Sequence, residues 1–467
     1  MNKFLFFILI SYLSTSFAQV RLPDIFSDNM VLQRNSRVDI WGWSNPNEQI
    51  SLVASWNPQD TLKTVGNRQA QWNIVLKTPE GAGPFTIRIK GYNEVVINNV
   101  LLGETWLASG QSNMEWTPAQ GLDGGDDLIK NTHNKNIRFF KVSKQTADAP
   151  QLDLEGEWVE ANPDNANYFS AIAYFFGIKL NEKLKIPIGL ISSSWGGSPA
   201  ETWISEEAFA KNDSLVQGAA LLKKEPWCPS EPSRAFNAMI NPLIPYKIAG
   251  VIWYQGETNT SNYAYYENTF GSLINNWRAL WNDDFPFYYA QIAPYDYGEG
   301  YSGVSIRDIQ RKLLRTPNTG MVVTSDIGNN KDIHPRNKLD VGLRFANLAL
   351  EKKYGLKSVE ESESPLVINA KRLNSRTIAV YFENAKQLTW SNSTSNKKAF
   401  FEIVLADTEV ALISKISVKD NYVLLKTNST DIKNAHYIRY GWSNQFTPGL
   451  INEAGLPASS FTIPIEN

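Results

Sequence analysis

A chain of 467 residues is too long for one hydrophobic core and long enough for two or three domains. Its 45 Lys and Arg nearly cancel 47 Asp and Glu, leaving a formal charge of −2, and nothing suggests the clustered Lys and Arg that a nucleic-acid surface needs. Cys228 is the single cysteine, so an intramolecular disulfide is excluded, and without CxxC, Cys/His clusters or HExxH the sequence offers no dedicated metal site.

Residues 1–18 read as an export signal. Lys3 precedes the apolar run Phe4–Ile10, and Ser16-Phe17-Ala18 supplies the small residues needed for cleavage before Gln19. The run is too short to anchor in a bilayer, so the mature protein is expected to be periplasmic or secreted, with no membrane contact after signal removal. Residues 19–98 read as a small antiparallel β domain, with alternating runs at Arg37–Trp43, Gln71–Leu76 and Phe85–Ile89 separated by turn residues. Residues 99–356 change character. Strand candidates at Val100–Leu107, Ile188–Ile191, Ala249–Tyr254, Phe287–Ile292 and Met321–Thr324 alternate with helix candidates at Tyr168–Lys185, Tyr265–Trp281, Ile306–Leu314 and Lys338–Lys353. Such alternation predicts a parallel sheet covered by helices on both faces. Residues 357–467 return to strands, as in Thr377–Phe382 and Tyr422–Leu425, and form a C-terminal β-rich domain.

In open parallel sheets ligands bind beyond the carboxyl ends of the strands. Four of the predicted strands run into polar or glycine-rich loops: Gly110-Gln111-Ser112-Asn113-Met114, Ser192–Ser198, Gln255-Gly256-Glu257-Thr258-Asn259, and a loop ending in Asp332-Ile333-His334-Pro335. A serine nucleophile at neutral pH needs a neighbouring base, usually imidazole. Of His133, His334 and His436, only His334 stands at a strand-end loop, with an acid two positions before it. Ser112 reads either as a nucleophile in a tight turn permitted by Gly110 or as a plain helix cap. Gly196-Gly197 reads either as a close backbone approach to a substrate oxygen or as a simple turn. Gln255 and Asn259 could donate side-chain N–H bonds to a developing oxyanion, where one donor contributes about 3 kcal/mol. Glu257 reads as an orienting group, or as half of a glycosidase carboxylate pair. The 15 Trp, 19 Tyr and 22 Phe serve either as sugar-stacking surfaces or as core filler of β-rich domains.

Taken in order, Trp106–Glu115, Ser194-Trp195-Gly196-Gly197, Trp253–Glu257 and Asp332–Pro335, with the lead-in Ile25–Gln33, resemble the sialate O-acetylesterase family within the SGNH hydrolases. The resemblance spans about residues 22 to 340. It implies an α/β fold with a flavodoxin-like three-layer α/β/α SGNH hydrolase domain flanked by N- and C-terminal β-rich domains. It also implies Ser112 as nucleophile, His334 as base, and an oxyanion hole built from the Ser112 N–H and Gly196 or Gly197. It implies no metal or organic cofactor. Two departures stand out. The family's D-x-x-H would place its acid at Lys331, so Asp332, Asp326 or Glu257 is left to orient the imidazole, unless Ser112 and His334 act as a dyad. The superfamily's G-x-N-D is here Gly256-Glu257-Thr258-Asn259. The resulting expectation is a serine esterase acting on acetylated carbohydrates, first O-acetylated sialic acid. Gln111, Trp195, Glu257 and Arg307 are the candidate substrate contacts. The alternatives are an esterase of acetylxylan or another polysaccharide, a glycoside hydrolase using Glu257, and a non-catalytic carbohydrate-binding protein.

Overall fold

The computed structural model describes residues 19–356, 362–391, 400–406, 409–428 and 431–466; the leader expected over residues 1–18 lies outside them. The architecture is mixed α/β. The central strands, in chain order, are β1 (Glu94–Gly110), β2 (Asn134–Lys141), β3 (Trp158–Ala161), β4 (Ile188–Ser194), β5 (Gly250–Tyr254), β6 (Phe287–Ala290) and β7 (Thr319–Val322). Their order across the sheet is β7-β6-β5-β1-β4-β2-β3. All neighbours run parallel except β3, which closes one edge antiparallel to β2. Every residue of β4, β5, β6 and β7 is buried, the pattern of strands covered on both faces.

Two helix pairs provide that cover. Helices α2 (Ala171–Leu184) and α5 (Lys338–Lys352) lie against each other, and a Cβ on Gly342 would come within 2.8 Å of the Ile172 carbonyl. Helices α3 (Tyr263–Trp281) and α4 (Ser302–Lys312) form the second pair. The register assigns the faces. Trp253 sits opposite Ser109, so it shares that residue's face, whereas Trp106, three positions earlier on β1, points the other way. Accordingly Trp106 meets Phe176 of α2 at 5.0 Å, and Trp253 meets Trp277 of α3 at 5.8 Å. Seven of the 15 tryptophans are buried, and Trp106, Trp203, Trp253 and Trp277 wholly so.

Strand β1 is longer than the apolar run Val100–Leu107 suggests. Asn98-Asn99 interrupts the run, and Asn99 takes a left-handed φ of 55°, yet the strand carries on either side of it. Its first half pairs antiparallel with Phe85–Lys90 of the N-terminal region, and its second half is the rung between β4 and β5. The alternating strands Ser36–Trp43 and Gln71–Thr78 bury one face each. Their apolar residues belong to the same hydrophobic cluster as the central sheet, whereas Val367 to Ile463 build a separate C-terminal cluster. No helix among the described residues is long and apolar enough to cross a membrane.

Candidate active site

Because β1, β4, β5 and β7 are parallel, the loops after Gly110, Ser194, Tyr254 and Val322 emerge at one sheet edge. At the end of β1, Gly110 adopts φ 135°, and a Cβ there would lie 2.2 Å from the Tyr254 carbonyl, so only glycine fits. The Gln111 N–H then donates to that same carbonyl at 3.0 Å, and the chain turns into the short helix α1 (Ser112–Glu115). The turn presents the Ser112 hydroxyl to His334, whose Nε2 lies 2.9 Å from Oγ although the residues are 222 positions apart. The Trp116 ring stacks on the imidazole at 5.1 Å.

Asp332 accepts the backbone N–H of His334 at 2.9 Å, while its nearest oxygen stands 3.9 Å from Nδ1, beyond hydrogen-bond reach. It therefore shapes the loop more directly than it orients the ring. Asp326 is held elsewhere, pairing with Arg344 at 2.5 Å. Burial, and then the Lys338 ammonium, push the His334 imidazole below its usual value of 6.5, with Asp332 opposing. A neutral, proton-accepting ring is thereby favoured at neutral pH.

Beneath Ser112 sits a polar hub that sequence reading misses. Asn113 Nδ2 donates to Glu257 Oε1 at 2.6 Å and to the Ile333 carbonyl at 3.0 Å, and Asn113 Oδ1 accepts from Lys338 Nζ at 2.6 Å. One amide thus ties the residue after Ser112 to the residue before His334. Burial raises the Glu257 carboxyl to about 7. The same cause lowers Lys338 to about 7, its Nζ lying 5.6 Å from the Trp116 ring centroid. Asn113 adjoins Ser112 in sequence, and Lys338 opens α5 four residues after His334, which is the only signal that could have marked them.

The glycine turn closes the opposite side. A Cβ on Gly196 would stand 3.2 Å from Ser112 Cβ, so the turn touches Ser112. The Gly196 N–H donates to Glu115 Oε2 at 2.7 Å, and Glu115 Oε1 pairs with Lys144 at 2.5 Å. Gly197 takes φ 80°, and its carbonyl accepts from Thr258 Oγ1 at 3.0 Å and from the Cys228 thiol at 3.3 Å. Among the described residues, the N–H groups of Ser112 and Gly197 have no protein acceptor.

Several candidates stand elsewhere than expected. Asn259 directs both amide hydrogens to Glu201 and Asn262, and its oxygen accepts from Ala200 N at 3.0 Å and from Gln255 Nε2 at 2.6 Å. Gln255 and Asn259 are therefore structural ties behind the turn rather than oxyanion donors, organised on the fully buried Glu201. Gln111 is buried, with its oxygen accepting the N–H groups of Gly256 at 3.3 Å and Thr258 at 3.4 Å, so it braces the next loop. Arg307 is fully buried and donates to the carbonyls of Ser443 and Asn444, fastening the C-terminal region instead of meeting substrate. Burial lowers its guanidinium to about 10. Glu257 faces Asn113 and not the cleft. Trp195 keeps its place beside the turn, partly exposed.

Residues 103–351 match the family model of carbohydrate esterases described as sialic acid-specific acetylesterases. Human sialate O-acetylesterase is 30% identical over 385 residues, which cover 74% of this chain and 73% of the human protein. The rat sialate O-acetylesterase is 29% identical over 405 residues, covering 73% of this chain and 74% of its own. The crystal structure of a carbohydrate acetylesterase from Xanthomonas citri is similar with a TM-score of 0.84 at 32% identity, over 95% of this chain and 99% of that one.

Proposed function

Because the chain belongs to the carbohydrate esterase family of sialic acid-specific acetylesterases, and is thus a carboxylic ester hydrolase, we propose that it removes acetyl groups from sugar hydroxyls by a two-step transfer through Ser112. The observation that carries this reading is the 2.9 Å approach of His334 Nε2 to Ser112 Oγ. His334 accepts the hydroxyl proton as Oγ bonds to the acetyl carbonyl carbon, and the C=O electron pair moves onto oxygen. That oxyanion is received by the N–H groups of Ser112 and Gly197; the Gly196 N–H is already engaged by Glu115. The C–O bond to the sugar then breaks as the imidazolium protonates the leaving oxygen. Water, deprotonated by the same imidazole, attacks the acetyl-enzyme and releases acetate. The two side chains act as a dyad, its ring held by the Trp116 stack and its loop by Asp332.

The fold supports the same reading. Without the β2–β3 edge pair, the strand order β4-β1-β5-β6-β7 is the 2-1-3-4-5 arrangement of flavodoxin-like sheets, consistent with an SGNH hydrolase domain at 99–356 between β-rich domains at 19–98 and 357–467. A leader at residues 1–18 would export the enzyme to the periplasm or medium. The names of the mammalian relatives make O-acetylated sialic acid the first substrate to test and acetylxylan the second. Glu257 is 4% exposed, so a glycosidase carboxylate pair finds no support. Ser112→Ala is expected to lower acetate release from 4-nitrophenyl acetate and from the sugar ester by about 10⁴-fold or more, with circular dichroism unchanged. Activity retained in that variant would overturn the scheme.

A further inference from the structure

Among the described residues one tryptophan alone is exposed to solvent, which makes it informative. Trp227 is 63% exposed, although it stands against the glycine turn. A Cβ on Gly197 would lie 3.0 Å from its indole nitrogen, so the ring edge borders the residue whose N–H is proposed to receive the oxyanion. Its position is fixed through its backbone, since Trp195 Nε1 donates to the Trp227 carbonyl at 3.0 Å. The two tryptophans line one side of a cavity of about 540 Å³, within the size range of small-ligand pockets. Trp195 precedes Gly196, which touches Ser112, so a sugar esterified at Ser112 has this wall beside it.

The charges around the cavity narrow the ligand. Its lining holds two cations, Lys224 and Arg234, and three acids, Asp148, Glu225 and Glu231, of which Glu225 pairs with Lys223 outside the lining at 2.9 Å. Both cations are already paired: Lys224 with Glu231 at 2.7 Å, and Arg234 with Glu231 at 3.4 Å and with Asp148. A carboxylated ring would find no unpaired cation among these lining residues to offset the loss of its hydration. A neutral pyranose offers an apolar C–H face to stack on indole and hydroxyls for the paired charges.

We infer that the Trp195–Trp227 cavity is a subsite for an uncharged sugar ring of the leaving alcohol, with Trp227 as a specificity-determining residue. This assignment rests on the esterase reading of Ser112. The test compares kcat/KM for an acetylated neutral xylo-oligosaccharide, for O-acetyl sialic acid and for 4-nitrophenyl acetate, each as a ratio to the aryl ester. In Trp227→Ala the xylo-oligosaccharide ratio is expected to fall about tenfold, mainly through KM, and Trp227→Phe to restore most of it. A ratio within about twofold of wild type in Trp227→Ala would overturn the subsite, and so would a loss that Phe does not repair. An equal fall for O-acetyl sialic acid would overturn the assignment to an uncharged ring. Failure of the esterase reading looks different: wild type would release acetate from none of the three, or Ser112→Ala would remain active on them.

Discussion

The two turns that meet at Ser112 are fastened in opposite ways. The nucleophile turn is held from below, out of water: Asn113 is 1% exposed and bonds at once to Glu257, Lys338 and the backbone beside His334. The glycine turn is held from outside, through Glu115 and Lys144, whose side chains are 24% and 42% exposed. Hydrogen bonds in the low-dielectric interior are strong and costly to break, whereas solvent-exposed ion pairs contribute little. In the proposed mechanism the rigid side carries the proton transfer, whose geometry tolerates little error, and the softer side faces the sugar, where adjustment costs less.

If that contrast is right, the largest effect comes from the hub. Asn113→Ala leaves the Lys338 ammonium and the Glu257 carboxylate without their shared partner, a loss of about 1–3 kcal/mol per unsatisfied buried group. With His334 no longer tied to the nucleophile turn, kcat for 4-nitrophenyl acetate is expected to fall about 100-fold with KM little changed. A wild-type kcat would break the comparison at its stronger side.

Lys338→Met probes the same hub electrostatically. The ammonium holds the His334 pKa down, so its removal lets that pKa rise. Since the base must be neutral, activity is lost as pH falls through this pKa, and the acidic limb of kcat/KM against pH is expected to move to higher pH. An unmoved or lower limb would remove Lys338 from the account of the base. The smallest effect belongs to Glu115→Gln, which keeps an acceptor for Gly196 but loses the ion pair with Lys144. A decrease in kcat/KM of about fivefold at most is expected, shrinking further at high salt in the wild-type comparison. A loss as deep as that of Asn113→Ala would erase the distinction between the two turns.

Much of this was legible before the coordinates. Strands buried on both faces write themselves as apolar runs, so β4, β5 and β6 were visible, and their polar exits pointed to one edge. With three histidines in the chain, position alone singled out His334. What stayed hidden was direction. Gln255 and Asn259 stand in a loop rich in plausible donors, but a buried amide satisfies whatever lies nearest, and the nearest groups were Glu201 and the turn behind the site. Arg307 could not be placed because its acceptors lie 136 and 137 residues away in the C-terminal region. The edge pair β2–β3 begins in the polar Asn134-Lys135-Asn136, which gives no apolar periodicity to read.

The long strand β1 has one more consequence. A single continuous ribbon forms part of the N-terminal sheet at one end and delivers Ser112 at the other. Side chains alternate across it with a period of two, so gain or loss of one residue between Leu102 and Gly110 would turn Trp106 and Ser109 to the wrong layers and carry the serine away from its imidazole. Over this stretch a substitution of matching shape keeps the layers whereas a change in number does not, and length variation among relatives should collect instead in the outer loops.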